Sequence, residues 1–134
     1  MENQKIYTFL MFTGNAEAAM KLYTSCFDQS EIINITRYGA DEAGKEGTVF
    51  QAMFSLHGQV FMCIDSYVEH VFTFTPAISL YVKCYTEDEI DRVFKSLSQD
   101  GKVLMPLAAY PFSEKFGWLE DKYGVSWQLT LEKS

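Results

Sequence analysis

The chain writes the same order of elements twice. An apolar strand, an amphipathic helix and three further strands run from Ile6 to Ile64, and the same succession runs from Ala77 to Leu131. Phe12 aligns with Val82 and Tyr23 with Phe94. A period of about seventy residues that occurs only twice is duplication of one supersecondary unit, since stacked arrays use shorter and more numerous repeats. The expected fold class is therefore α+β: two βαβββ modules related by internal pseudo-symmetry, with curved mixed sheets and helices outside. A small curved sheet with one covered face leaves a concave face that must be filled or must bind something.

Local chemistry supports each element. Ile6–Phe12 sends Tyr7, Phe9 and Met11 one way and Leu10 and Phe12 the other, a strand with both faces partly apolar. Asn15 is placed to cap the helix Asn15–Phe27, whose Ala16, Ala19, Met20, Tyr23 and Phe27 recur at helical spacing. Strands follow at Glu31–Tyr38, Thr48–Leu56 and Gln59–Ile64, with the polar loop Gly39–Gly47 between the first two and a tight turn at His57-Gly58. In the second half Ala77–Cys84 is a strand, and Thr86 with Glu89 forms a capping box for the helix Glu87–Gln99. Its stripe is Ile90, Val93, Phe94 and Leu97. Lys102–Ala109, Gly117–Leu119 and Val125–Leu131 complete the module, with Asp121 and Gly124 supplying the last turn.

At 134 residues the chain reads as one domain, 1–134, with module 1 at about 5–65, a connector at 66–76 and module 2 at about 77–132. A hydrophobic content of 48% argues against disorder, and a net charge of −7 argues against a nucleic-acid partner, which wants a basic surface. No stretch approaches the ~20 apolar residues of a membrane span. Met1–Lys5 leads straight into a strand without a signal-peptide core, and Cys26, Cys63 and Cys84 lack CxxC spacing. Both features point to the cytoplasm, with the cysteines as small buried hydrophobes.

Phe116-Gly117-Trp118-Leu119-Glu120-Asp121 with Tyr123-Gly124-Val125-Ser126-Trp127-Gln128 resembles the PhnB-like branch of the glyoxalase/bleomycin-resistance (vicinal oxygen chelate) superfamily. So do Leu10-Met11-Phe12 with Gly14–Ala19 and Tyr23, and Ile78–Val82 at the second module's start. The resemblance covers essentially the whole chain. It implies paired βαβββ modules, a homodimer and a cleft in which enzymes of the superfamily hold a divalent metal. Carried onto this sequence, the metal positions fall at about Tyr7, Cys63, Ala77 and Gln128, and only Gln128 is of a matching type. A lone amide oxygen holds a divalent ion poorly, so no metal and no cofactor is expected. PhnB-like sequences often carry a 3-demethylubiquinone-9 3-methyltransferase label. The strand–GxG–helix nucleotide fingerprint is absent here, so methyltransferase activity has no support in the sequence.

The candidate cleft residues are Tyr7, Phe9, Cys63, Asp65, Ser79, Tyr81, Phe112, Trp118 and Gln128. An aromatic stripe is more often packing than recognition, yet inward polar tips at Tyr7, Ser79 and Gln128 suit a small amphipathic ligand. His57 is read as an exposed turn residue, and His70 as a loop imidazole able to act as a general base without a spaced partner. No catalytic residue is assigned. Three functions stand side by side: a metal-independent protein binding a small aromatic or amphipathic molecule, a lyase- or isomerase-type enzyme with a non-standard metal site, and a dimeric interaction protein without a ligand.

Overall fold

A computed structural model describes residues 4–132; Met1, Glu2 and Asn3, on which part of the N-terminal reading falls, lie outside the described residues. The chain divides into two compact units, Met1–Val71 and Phe72–Ser134, and the division falls inside the expected connector.

The first unit holds β1 (Thr8–Phe12), α1 (Ala16–Cys26), β2 (Glu31–Arg37), β3 (Val49–Leu56) and β4 (Gln59–Asp65). Its four-stranded sheet has the order β1-β4-β3-β2. β1 runs parallel to β4 because α1 and two strands intervene, whereas β2, β3 and β4 form an antiparallel meander through the loop 38–48 and the tight His57-Gly58 turn. The second unit repeats the plan with β5 (Leu80–Cys84), α2 (Glu87–Ser98), β6 (Lys102–Tyr110), β7 (Ser113–Glu120) and β8 (Ser126–Leu131), in the order β5-β8-β7-β6. This is the glyoxalase-like α+β fold, two βαβββ modules.

Each helix covers one sheet face. In the first module Ala19, Met20 and Tyr23 of α1 are fully buried with Ala52 and Phe54, and the rings of Phe54 and Phe61 stack at 5.2 Å. In the second, Ile90, Val93 and Leu97 of α2 pack with Leu119, Trp127 and Leu129, all essentially buried. Gly117 sits under the ring of Phe94, a close approach that leaves no room for a side chain.

Several details depart from expectation. Asn15 makes no capping bond. The first turn of α1 is closed by Asp65, 49 residues away, whose Oδ1 accepts the N–H groups of Gly14 at 2.8 Å and Ala16 at 2.9 Å while Oδ2 accepts that of Val49 at 2.9 Å. The Thr86 cap forms as expected, its Oγ1 accepting Glu89 N–H at 3.0 Å, but Glu89 reaches back to Tyr85 N–H at 2.9 Å instead of Thr86. β5 begins at Leu80 rather than Ala77 because 77–79 complete a turn, with Ala77 N–H donating to Thr75 Oγ1 at 3.3 Å. β6 and β7 are longer than expected, and the loop read at Tyr110–Lys115 shrinks to Pro111-Phe112. The register shifts along β6 bend it past Pro106, which lets an edge strand carry a residue without an N–H.

Candidate ligand-binding face

Strand alternation sorts the second module into two faces. Leu80, Val82 and Cys84 of β5 and Trp127, Leu129 and Leu131 of β8 share the α2 side, so the opposite, open face takes Tyr81, Lys83, Gln128 and Thr130. β7 adds Phe116 opposite Thr130, Trp118 opposite Gln128 and Glu120 opposite Ser126. Ser79, just before β5, falls beside Ser126.

A hydrogen-bonded set crosses this face. Trp118 Nε1–H donates to Ser126 Oγ at 2.9 Å, Ser126 and Ser79 hydroxyls meet at 2.7 Å, and Gln128 Nε2–H donates to Ser79 Oγ at 3.2 Å. Further along, Ser113 and Thr130 hydroxyls pair at 2.7 Å. Beyond them β5, the end of β8 and the β6–β7 turn surround an open pocket of about 560 Å³. Tyr81, Lys83, Tyr110, Phe112 and Glu132 contribute to its wall. Phe112 is 63% exposed and stacks on Tyr110 at 5.8 Å, with its edge toward Phe116 at 4.9 Å. The wall thus combines aromatic rings with the charged side chains of Lys83 and Glu132.

Of the sequence-derived candidates, Ser79, Tyr81, Phe112, Trp118 and Gln128 all belong to this one face. Tyr7 and Phe9 belong to the first module, where Phe9 is 52% exposed on the side of β1 away from Leu10 and Phe12, opposite Met62. Two candidates are corrected. Cys63 is aligned with Leu10 and Ala52 on the α1 side, fully buried, and burial with the neighbouring Asp65 carboxylate pushes its thiol up to about 12. Asp65, 3% exposed, has both oxygens occupied by backbone N–H groups, which makes it a structural clamp. His70 is exposed in the connector, with Nε2 3.2 Å from Ser66 Oγ.

Ser126 was missed although its signal was available: it lies two residues before Gln128 and so shares that residue's side of the strand. Tyr110 was missed because it was read as the start of the loop Tyr110–Lys115, whereas it ends β6; Lys83, two residues after Tyr81 on β5, shares that residue's side.

The residues do not fit the divalent metal that the superfamily resemblance implies. Ala77 has no donor atom, and Cys63 faces α1 with its thiol held protonated. Among the described residues no three His, Cys, Asp or Glu side chains gather around one point.

Residues 4–130 match the model of the family described as 3-demethylubiquinone-9 3-methyltransferase. Among solved structures, a PhnB protein from Bacillus cereus is 70% identical with a TM-score of 0.95, covering 96% of this chain and 100% of that one. Protein PA1353 from Pseudomonas aeruginosa, 22% identical over 98% of this chain and 100% of its own, superposes with a TM-score of 0.85. The fosfomycin resistance protein FosX from Listeria monocytogenes, 10% identical over 98% of this chain and 95% of its own, gives 0.64 and shares the fold alone. No curated protein matches the chain.

Proposed function

As the chain belongs to the 3-demethylubiquinone-9 3-methyltransferase (PhnB) family, with its glyoxalase-like fold, we propose that it is a metal-independent binding protein for a small aromatic or amphipathic molecule, held on the open face of the second module. The observation that carries this reading is the meeting of Tyr81 and Phe112 in one open pocket. Tyr81 also stands opposite Gln128, so the pocket adjoins the Trp118–Ser126–Ser79–Gln128 set. The Tyr81 and Phe112 rings supply apolar area, and the hydrogen-bonding groups beside them fix orientation. A donor set too poor for a divalent ion supports binding over metal-assisted catalysis. We propose further that the protein works as a homodimer, since each sheet has edge strands and edges are commonly paired or covered.

Trp118 provides the test. Trp127 is 1% exposed and bonded to Asp121 Oδ2 at 2.9 Å, so a ligand on the open face alters the emission of Trp118. A panel of monocyclic and bicyclic aromatics, with anilinonaphthalene sulfonate as a fluorescent probe, should contain compounds that change this emission saturably. Tyr81→Ala and Phe112→Ala should each weaken their binding about tenfold, roughly 1.4 kcal/mol, without unfolding the protein. A panel that leaves the emission unmoved, or binding indifferent to both variants, overturns the reading.

A further inference from the structure

In the polar set on the open face of the second module each hydroxyl has a role fixed by its partners. Ser126 is 1% exposed, and among the described residues its hydroxyl meets two partners, Trp118 Nε1 at 2.9 Å and Ser79 Oγ at 2.7 Å. An indole N–H only donates, so it occupies one lone pair of Ser126. The Ser126 proton must then go to Ser79, because a buried hydroxyl without an acceptor is strongly disfavoured. Ser79 Oγ accepts a second bond from Gln128 Nε2 at 3.2 Å. Both of its lone pairs are now occupied, and what remains is its own proton, for which no acceptor exists among the described residues. Ser79 is half-buried, so that proton is available from the open side. Chains of this kind polarise along their length, which makes the terminal O–H a better donor. Gln128 gives one N–H to Ser79, and its Oε1 has no donor among the described residues.

We infer that Ser79 O–H and Gln128 Oε1 act together as a donor–acceptor pair selecting ligands that carry a carboxamide, primary or cis-secondary, on a flat ring. The ligand carbonyl accepts from Ser79 while its N–H donates to Gln128 Oε1, and the ring lies toward Tyr81, the cross-strand neighbour of Gln128. A carboxylate brings two acceptors and sets one against Gln128 Oε1. A tertiary amide has no proton for that oxygen. In both cases a polar group of the site is left without a partner, which discriminates more strongly than a missing apolar contact. The selection rests on the open face being the ligand site proposed above.

The experiment compares benzamide, N,N-dimethylbenzamide and benzoate, each titrated into ¹⁵N-labelled protein while the Trp118 indole and Gln128 side-chain N–H signals are followed by NMR. Benzamide should shift both saturably, with the other two at least about tenfold weaker. Ser79→Ala should bring the three to within about twofold of one another, and Ser79→Thr, which keeps the hydroxyl, should retain the preference. Dispersed amide signals in both variants report that the fold is intact. Equal binding of benzamide and its dimethyl derivative overturns the selection alone, as does a preference that survives Ser79→Ala. If none of the three compounds moves either signal, the open face is not a site for small aromatics, and the selection falls with it.

Discussion

Phe94 of α2 occupies the space in which a side chain at Gly117 of β7 would begin: a Cβ built there lies 2.9 Å from Phe94 Cδ2 and 3.0 Å from Leu107 Cδ2. The helix rests on the sheet through this contact, and a ring cannot yield as the end of a flexible chain would. Gly117→Ala should therefore destabilise the protein by about 1–3 kcal/mol, and pairing it with Phe94→Leu should recover part of the loss. Urea denaturation midpoints measure both, and an unchanged midpoint in Gly117→Ala would contradict the packing described.

Asp65 and Asn15 exchange the roles that spacing alone assigns. Removing Asp65 strands three backbone donors, at Gly14, Ala16 and Val49, whereas the Asn15 side chain caps nothing. Asp65→Ala should lower stability by about 3 kcal/mol, since buried N–H groups lose a charged acceptor. Asn15→Ala should stay within about 0.5 kcal/mol of the parent. Denaturation of the two variants side by side decides it, and the reverse order would refute the assignment.

What was legible in the sequence was whatever depends on near neighbours. The stripe of α2, the Thr86 cap and the His57-Gly58 turn are set by residues within one helical turn or one hairpin, and they formed where expected. The cap of α1 was hidden because its donor groups and its acceptor come together only when β1 and β4 pair. Cys63 was misplaced because a strand with apolar residues on both faces gives no parity signal, and only the pairing with Leu10 and Ala52 decides its side. Within the second module the shared face of the candidate residues was legible, because a strand whose apolar face is Trp127, Leu129 and Leu131 announces where Gln128 points.

Alkaline pH should weaken the fold through its two most strongly shifted thiols. Burial, with the Asp65 charge at Cys63 and the Glu89 charge at Cys84, raises both thiols from 9.0 to about 12, Arg92 opposing the shift at Cys84. Between those values the unfolded chain has released protons that the folded chain still binds, so stability falls as pH rises through that window and is fully present below it. Denaturation midpoints should drop from pH 8.5 to 10.5, and Cys63→Ala with Cys84→Ala should flatten the slope. A slope unaffected by the double substitution would assign the loss to other groups.

Sedimentation at micromolar concentration should give a species of twice the 15.4 kDa chain mass. A single species at the chain mass would remove the homodimer proposal.

Metal analysis of the purified protein should find well below one equivalent of zinc, iron or manganese per chain, because an amide and a buried thiol do not amount to the usual three ligands. An equivalent close to one, lost in Gln128→Ala, would restore the enzyme reading.

The Asp65 clamp also orders events during synthesis. Residue 65 closes β4, so the N–H groups of Gly14 and Ala16 wait for an acceptor made 51 and 49 residues later. A nascent chain that has emerged only as far as β3 can wind α1 but cannot fix its first turn, and an isolated helix of 11 residues is marginal in water. The first module thus locks late, at the moment β4 enters the sheet between β1 and β3. The last strand to leave the ribosome in that module completes the first helix to have left it.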